Sequence, residues 1–565
     1  MKLTGAQILI ECLKEQGVDL IFGYPGGAVL PIYDALFSTK EITHILTAHE
    51  QGATHAADGY ARATGRPGVV LVTSGPGATN TVTGIATAYM DSVPLVVFSG
   101  QVSSNLLGRD SFQEVDIAGI TMPITKHNYI VKDPDRLPHI IREGFDIATS
   151  GRPGPVLIDI PKDVQTADVD FQPDDHRPME WKTRHKWMEQ AENNPENFRK
   201  AEGIINGCSH PVIYAGGGIN ISGAGKELLE FAEKIKAPVC ASLMGMGSFP
   251  GDHPDFLGMV GMHGTRYANY AVSQSDCLIA VGARFSDRVT SKAENFAKDA
   301  RIIHIDIDPA EISKNIAAHI PLCGDVKNIL TELTERVCEK AENGWNKQIK
   351  EWKQTYPLKY KWKGALSPQY VIEKLYELTG GKAIITTEVG QNQMWAAQYY
   401  KYSEPRTFIT SGGLGTMGFG LGASIGAAMG KPDRKVINIA GDGSFKMNST
   451  ELATVSKYKV PIVQLVLNNH TLGMVRQWQD LFFQGRYSYT TLGPDVDFLK
   501  LADAYGIKNY CVTANEQVEE VLKEALALNE PVLVECDINR DEKVYPMVAP
   551  GADIDNLIDL QLSKL

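Results

Sequence analysis

The stretch "GDGSFKMNSTELATVSKYKVPIVQLVLNN" (441–469) sets an acid between two glycines and, a helix and a strand later, a pair of asparagines. The pattern predicts a strand over 435–440 ending at a Gly441-Asp442-Gly443 turn, a helix over roughly 447–458, and a strand over 461–467 ending at Asn468-Asn469. A strand–helix–strand crossover makes the two strands parallel, so Asp442 and the asparagines emerge at one carboxyl edge of a sheet. Open α/β sheets bind ligands at that edge. A carboxylate beside an amide oxygen suits a hard cation such as Mg²⁺, which completes its shell with oxygens from elsewhere, typically phosphates. Gly441 and Gly443 allow close backbone approach, and the N-terminus of the helix behind them favours an anion. A GDG triplet alone would be an ordinary turn. The asparagine pair, behind a proline-led strand, turns the reading to a metal-bridged diphosphate.

In combination the two motifs resemble the thiamine diphosphate motif. That cofactor demands a carboxylic acid against its pyrimidine ring, supplied by a second α/β domain. "ILTAHEQGATHAADGYARATG" offers Glu50, behind the apolar run "HILTA" and at the start of a helix. It stands beside Ala53, Ala56 and Ala57, a place expected to be dry and to favour the protonated acid. "SGGLGTMGFGLGASIGAAMG" (411–430) surrounds one large residue, Met417, with Gly and Ala, which suits an apolar prop beneath a bent cofactor. Two domains joined through a third are expected not to face each other directly. The site is therefore expected between the subunits of a homodimer or tetramer.

These residues need a scaffold, and the chain has one. Its 565 residues are 43% hydrophobic and 22% charged, enough for three or four domains. Continuous β-branched runs ("GVVLVTS", "PLVVFSG", "PVLIDIP", "PVIYAGGG", "DCLIAVG", "RIIHIDID", "KVINIAGDG", "PIVQLVLNN", "PVLVECDI") alternate with helical patterns, as in parallel sheets covered on both faces. The expected fold is α/β, with three doubly wound parallel-sheet domains over 1–165, 195–340 and 365–545, and a tail over 546–565. The charged stretches 170–197 and 339–367 lack buried strands and are expected to be linkers. Segments 61–100 and 426–469 share an order of Gly, basic residue, Pro, strand, G-x-G, helix, Pro, strand, which suggests a duplication.

A formal charge of −12 without basic runs argues against nucleic acid. No apolar run reaches the roughly 20 residues that span a bilayer, so no membrane association is expected. The opening "MKLTGAQILIECLKEQG" has amphipathic helical spacing and does not look like a leader, so the chain is expected to start at its first domain. Eight scattered cysteines fit a reduced, cytoplasmic setting.

Across nearly its whole length the chain resembles the catalytic large subunits of the biosynthetic acetolactate (acetohydroxyacid) synthases. The resemblance is carried by "GYPGGAVLPIYDAL", "HEQGATHAADGYARATG", "TSGPGATN", "DSFQEVDIAGIT", "PITKHNY", "GRPGPVLIDIPKDVQ", "LMGMGSFPGDHPDFLGMVGMHGT", "GARFSDRVT", "GDGSF", "LNNHTLGMVRQWQ" and "YPMVAPGA". It implies a pyrimidine-binding first domain, a Rossmann-like FAD domain in the middle with a structural flavin, and a diphosphate- and Mg²⁺-binding third domain. It implies that Glu50 activates the cofactor, that Asp442, Asn469 and the Thr471 carbonyl bind Mg²⁺, and that Met417 props the bend. Gly27, Ala28, Phe112, Gln113 and Lys162 would line the entry to the reacting carbon. Arg288 would hold the carboxylate of the second 2-ketoacid, with Trp478 and Met474 at its alkyl end. Arg152, Gly217, His263, Gly264, Arg284, Asp306 and Asp325 would hold FAD.

The resemblance further implies that pyruvate is decarboxylated and its two-carbon unit joined to pyruvate or 2-ketobutyrate, with a separate small regulatory subunit. Three positions depart from the usual pattern: Gly422 and Ser103 stand where many members have proline, and Ser286 where many have aspartate. A pyruvate oxidase using the same two organic cofactors is the alternative, together with a related 2-ketoacid carboligase or a non-catalytic sensor on the same fold.

Overall fold

The computed structural model describes residues 1–174, 195–360, 364–493 and 495–559. It contains three parallel six-stranded sheets. In the first, the strands run in the order Thr43–Leu46, Leu20–Tyr24, Gly68–Val72, Leu95–Gln101, Pro155–Pro161, His127–Ile130. In the third, the order is Phe408–Ile409, Ile384–Thr387, Val436–Gly441, Ile462–Asn468, Val532–Asp537, Lys508–Val512. Numbered within each sheet, both read 2-1-3-4-6-5. The segments whose sequences echo each other form the third and fourth strands of their respective sheets. The middle sheet differs: Phe256–Met259, Val239–Ala241, Pro211–Ala215, Cys277–Val281, Arg301–Asp306, Ile320–Cys323. That is 3-2-1-4-5-6, the order associated with dinucleotide binding. Central strands such as Leu95–Gln101 and Ile462–Asn468 are buried at every residue, which is why they read as continuous apolar runs.

The first and third domains do face each other directly, against expectation. Helix Glu50–Thr64 packs on helix Gly420–Gly430, and a Cβ on Gly426 would overlap the Ala56 carbonyl. The alanines and glycines of the two stretches are what let the two helix backbones touch.

Two of the expected connections are also corrected. Within 339–367, residues Gly344–Thr355 form a helix, and Trp345 and Ile349 are buried against the middle domain with Trp352 beside them. The spacing i, i+4, i+7 is a helical stripe that the surrounding charges obscured. Of the stretch 170–197, residues 175–194 lie outside those described, and Pro195–Gly207 is a helix burying Phe198, Ala201 and Ile205. The expected tail is a packed ribbon as far as residue 559: Met547–Val548 pairs with Leu557–Ile558, and Val548 N–H donates to the Met262 carbonyl at 2.8 Å. Residues 560–565 lie outside the described chain.

Candidate active site

Parallel strands deliver every loop at their carboxyl ends to one rim, and the candidate residues, apart from Arg152 in the loop before strand Pro155–Pro161, are gathered on three such rims. On the third sheet, strand Val436–Gly441 leads into Asp442 and strand Ile462–Asn468 into Asn469. The GDG triplet is not a turn. Gly441 is the last strand residue and Asp442 opens helix Asp442–Asn448, followed by a tight turn at Ser449–Glu451 and helix Leu452–Tyr458. Asp442 thus sits at a helix N-terminus, where its charge is favoured.

The Asp442 carboxyl is buried and accepts the Asn469 backbone N–H, and burial pushes it up to about 6. Its Oδ1 has no hydrogen-bond partner among the described residues, nor has the Thr471 hydroxyl. Asn469 Oδ1 accepts Thr471 N–H at 3.1 Å, and its Nδ2 donates to Gln391 Oε1 at 3.1 Å, which fixes the amide. Leu472 N–H and Leu492 N–H bond across Thr471 to Thr490 and His470. Thr471 is therefore the non-bonded pair of its bridge with Thr491, and its carbonyl points away from that segment, on the side where its N–H meets Asn469. An orphaned carboxylate oxygen, a held amide and a free-standing carbonyl form an oxygen set with a single charge. It suits Mg²⁺ that takes its remaining ligands from phosphate. Among the described residues no group of three His, Cys, Asp or Glu gathers, as expected of so lightly charged a set.

Met417 lies half-buried in the loop that enters helix Gly420–Gly430. That loop hangs from a residue the sequence reading missed. Glu388, fully buried behind strand Ile384–Thr387, accepts Gly418 N–H at 2.7 Å and Leu421 N–H at 3.2 Å, and burial pushes it up to about 7. An acid directly after an apolar strand was the available signal, the same one that identified Glu50. Gln391 was missed too: besides holding Asn469, its Nε2 donates to Gln477 Oε1 at 3.0 Å. Gly422 is explained here, because a Cβ would stand 2.8 Å from the Cβ of His55.

On the first sheet, Glu50 opens helix Glu50–Thr64 with His49 as its cap. The single chain leaves Glu50 half-buried, short of the dryness expected, with Asn80 Nδ2 donating to its Oε2 at 3.0 Å. Gly27 and Ala28 follow strand Leu20–Tyr24, where Ala28 N–H donates to Thr73 Oγ1 at 3.3 Å and Gln165 Nε2 to the Ala28 carbonyl at 2.8 Å. Lys162 begins the helix after Pro155–Pro161 and is exposed. Phe112 is 88% exposed, an unusual state for a large apolar side chain, and Gln113 next to it has a positive φ of 58° and its backbone against Gly75. Ser103 has φ −57°, a backbone that proline would share.

The two rims are joined by Glu451, a third residue the sequence reading missed. Buried in the third domain, its carboxylate accepts Ala48 N–H (3.2 Å) and His49 N–H (3.0 Å), immediately before Glu50. Its identity could not be read locally, since the groups it holds are about 400 residues away in sequence.

The middle rim opens into a cleft of 1440 Å³ shared by all three domains. Arg152, Gly217, His263, Arg284, Asp306 and Asp325 line it, as do Arg288, Met474 and Trp478. Gly264 is buried directly behind His263. Several of these already have structural tasks. Arg152 Nη1 pairs with Glu311 (2.7 Å) and Asp308 (3.3 Å), Arg284 Nη1 donates to the Met90 carbonyl at 2.6 Å, and Asp325 caps helix Val326–Arg336. Burial pushes Asp306 up to about 6 and the His263 ring down to about 4, so that ring is neutral near pH 7. Ser286 is the exposed residue before helix Asp287–Thr290.

Arg288 is 64% exposed and stands 3.9 Å from the still more exposed Asp287, a pair of negligible strength. Its guanidinium carbon lies 6.0 Å from the Trp478 ring centre instead. Met474, Trp478 and Phe482 fall on one face of helix Gly473–Phe482, with Trp478 edge-on to Phe482 at 5.6 Å. A cation at the mouth of an apolar wall is the geometry for a short carboxylate with an alkyl end.

Three family models match in order: Thiamine pyrophosphate enzyme, N-terminal TPP binding domain (residues 3–120), central domain (198–333) and C-terminal TPP binding domain (388–536). The chain is 50% identical to a probable acetolactate synthase large subunit of Methanocaldococcus jannaschii, over 98% of this chain and 95% of that protein. It is 44% identical to the acetolactate synthase large subunit of Haemophilus influenzae (99% and 98%) and 47% identical to the acetolactate synthase of Mycobacterium bovis (98% and 91%).

Proposed function

The chain belongs to the large-subunit family of acetolactate synthases, thiamine pyrophosphate enzymes, and we propose that its three rims divide the work of joining two 2-ketoacids. It is an enzyme that forms 2-acetolactate with thiamine diphosphate, in branched-chain amino acid biosynthesis. The observation that carries the division of work is the orphaned Asp442 Oδ1 beside the fixed Asn469 amide.

Asp442, Asn469 and the Thr471 carbonyl would hold Mg²⁺ and through it the diphosphate. When bound, thiamine diphosphate supplies a nucleophilic carbon and an acceptor for the electrons left by CO₂. The chain's own residues do the rest. Glu50 holds a proton against the pyrimidine ring, and Met417 supports the bend. Gly27, Ala28, Phe112, Gln113 and Lys162 surround the entry and exclude water. Arg288 pairs with the carboxylate of the acceptor acid, and Trp478 and Met474 cover its alkyl end, which favours 2-ketobutyrate over pyruvate as acceptor and so also yields 2-aceto-2-hydroxybutyrate.

The cleft, with Gly217 opening a helix at its edge and a sheet of dinucleotide-binding order, supports FAD as a structural ligand of the middle domain. Arg152 would have to serve FAD while keeping its acidic partners. The half-buried Glu50 and the exposed Phe112 support completion of the site by a second copy of the chain. Relatives named as large subunits support a separate small subunit. Among the described residues no helix is long and apolar enough to cross a membrane, and a cytoplasmic location is part of this proposal.

The test supplies thiamine diphosphate, Mg²⁺ and FAD, feeds pyruvate with and without 2-ketobutyrate, and identifies products by mass spectrometry. Acetolactate alone, then mostly acetohydroxybutyrate, is expected, with little of either from Glu50→Gln. Acetate or acetyl phosphate with flavin bleaching at the turnover rate would assign the protein to the oxidases instead.

A further inference from the structure

Far from the cleft, at the amino ends of the two central strands of the middle sheet, Cys277 is the register partner of Pro211, three residues beyond Cys208, whose thiol donates to the Ile205 carbonyl at 3.1 Å, and the two thiols perturb each other's acidity. Cys277 starts strand Cys277–Val281 and is fully buried, whereas Cys208, in the turn before strand Pro211–Ala215, is only partly covered. The site is built from both sides. Asp276 accepts Ser209 N–H at 2.7 Å and His210 N–H at 2.8 Å, which clamps the turn to the strand end. Lys340 Nζ lies 3.3 Å from Cys208 Sγ and 2.8 Å from the Cys208 carbonyl, so a cation faces the more accessible sulfur.

We propose that Cys208 and Cys277 form a reversible disulfide by exchange with a low-molecular-weight disulfide, Cys208 attacking and Cys277 resolving. The Cys208 thiolate attacks one sulfur of the small disulfide, forming a mixed disulfide and releasing the other half as a thiolate. That thiolate takes the proton from Cys277, whose sulfur then attacks Cys208 Sγ and expels the second half as a thiolate, which takes back from solvent the proton that Cys208 lost on ionising. Two protein thiols are oxidised, one disulfide is reduced to two thiols, and no other reactant is needed. The assignment of roles follows the surroundings. The neighbouring Cys277 thiol, helped by the Lys340 ammonium, holds Cys208 below the ordinary thiol range, while Cys208 and burial hold Cys277 above it. The bond would staple the strands whose opposite ends carry Gly217 and Arg284.

The full-length protein, equilibrated with glutathione disulfide, quenched with acid and alkylated, is mapped by non-reducing peptide mass spectrometry. A Cys208–Cys277 linkage that dithiothreitol reverses is expected. Cys277→Ser should stop at a glutathionyl group on Cys208, and Lys340→Met should slow alkylation of Cys208 at pH 7 by roughly threefold or more. Cys338 and Cys511 are exposed and serve as internal references. The proposal is overturned if Cys208 reacts no faster than Cys338, if wild-type protein accumulates the mixed disulfide without the linkage, or if Cys338 is the residue joined to Cys208. Should Cys277→Ser fail to fold, the wild-type map and the Lys340→Met rate still decide.

Discussion

Strand Thr43–Leu46 of the first sheet and strand Phe408–Ile409 of the third hold the same place, outermost beside their sheet's first strand. One leads to Glu50, the other into the glycine-rich loop that carries Met417. The third strands lead to Gly75-Pro76 in one sheet and to Asp442 in the other, and the fourth to the Phe112–Gln113 loop and to Asn469. Identical topology therefore fixes where groups arrive on a rim and says nothing of what they are. The third rim has a buried carboxylate and an amide held in place, groups that suit the proposed cation and diphosphate. The first has a half-buried acid and an exposed aromatic, groups suited to a proton and to a substrate entrance. On the proposed reading, two domains of one topology serve as non-equivalent halves of one site.

The comparison breaks most visibly if the rims are interchangeable. Asp442→Ala should abolish turnover together with Mg²⁺-dependent cofactor binding, read by titration calorimetry, because the only charged member of the oxygen set is gone. Glu50→Gln should leave that binding within a few-fold of wild type while lowering kcat by about 10²–10⁴-fold, the usual share of a positioned acid or base. Loss of cofactor binding in Glu50→Gln, or retention in Asp442→Ala, would reverse the division between the rims.

Much of this was readable. The repeat between 61–100 and 426–469 survives because strand, turn and helix leave periodicities that burial on both faces makes unmistakable. Asp442, Asn469 and Glu50 could be named because each stands at a strand end or a helix start, whereas Arg288 and Trp478 were named only through the family resemblance. What was hidden depends on partners distant in sequence. Gln391 looks like a loop polar residue until Asn469 is brought to it, and Glu388, although an acid after an apolar strand, shows its task only once the Gly418 loop reaches it. Glu451 looks like a surface acid of a helix, but the helix breaks at Ser449–Glu451 and turns it inward. The stripe of Trp345, Ile349 and Trp352 was masked by lysines and glutamates, whose charged faces say only that one side of the helix is wet.

Glu451 tests how tightly the halves are coupled. Its carboxylate is the third domain's hold on Ala48 and His49, and therefore on the entry angle of the helix that Glu50 begins. Glu451→Gln keeps the shape but replaces one acceptor with a donor facing an N–H, at a cost of about 1–3 kcal/mol. The expected result is a lower melting temperature and a roughly tenfold fall in kcat, with Mg²⁺ affinity unchanged, since nothing around Asp442 and Asn469 moves. An unchanged kcat in a destabilised protein would mean that the two rims are merely packed together and not aligned by this contact.

The smallest effect on activity, and the one that separates the sheets by their interiors, is pH dependence of stability. The first and third sheets each bury, near the rim, an acid with no basic partner among the described residues, Asp159 and Glu388. Asp159, accepting Ser99 Oγ at 2.6 Å and Gln101 Nε2 at 2.9 Å, is pushed up to about 7 by burial, and Glu388 likewise. Both folded values lie above the unfolded ones near 4, so the folded state binds more protons between them. Each acid's contribution is complete below about pH 4 and is lost as pH rises through about 7, the reverse of a salt-bridged carboxylate. A gap of this size corresponds to about 2–4 kcal/mol per group. Asp159→Asn and Glu388→Gln should each start lower, because an acceptor is lost, yet lose less stability between pH 4.5 and 7.5 in urea titrations at fixed cofactor. The effects should add, because the two acids sit in different sheets without a shared partner. A slope that either substitution alone abolishes would instead show that the two interiors titrate as one unit, joined through the helix pair that packs Ala56 against Gly426.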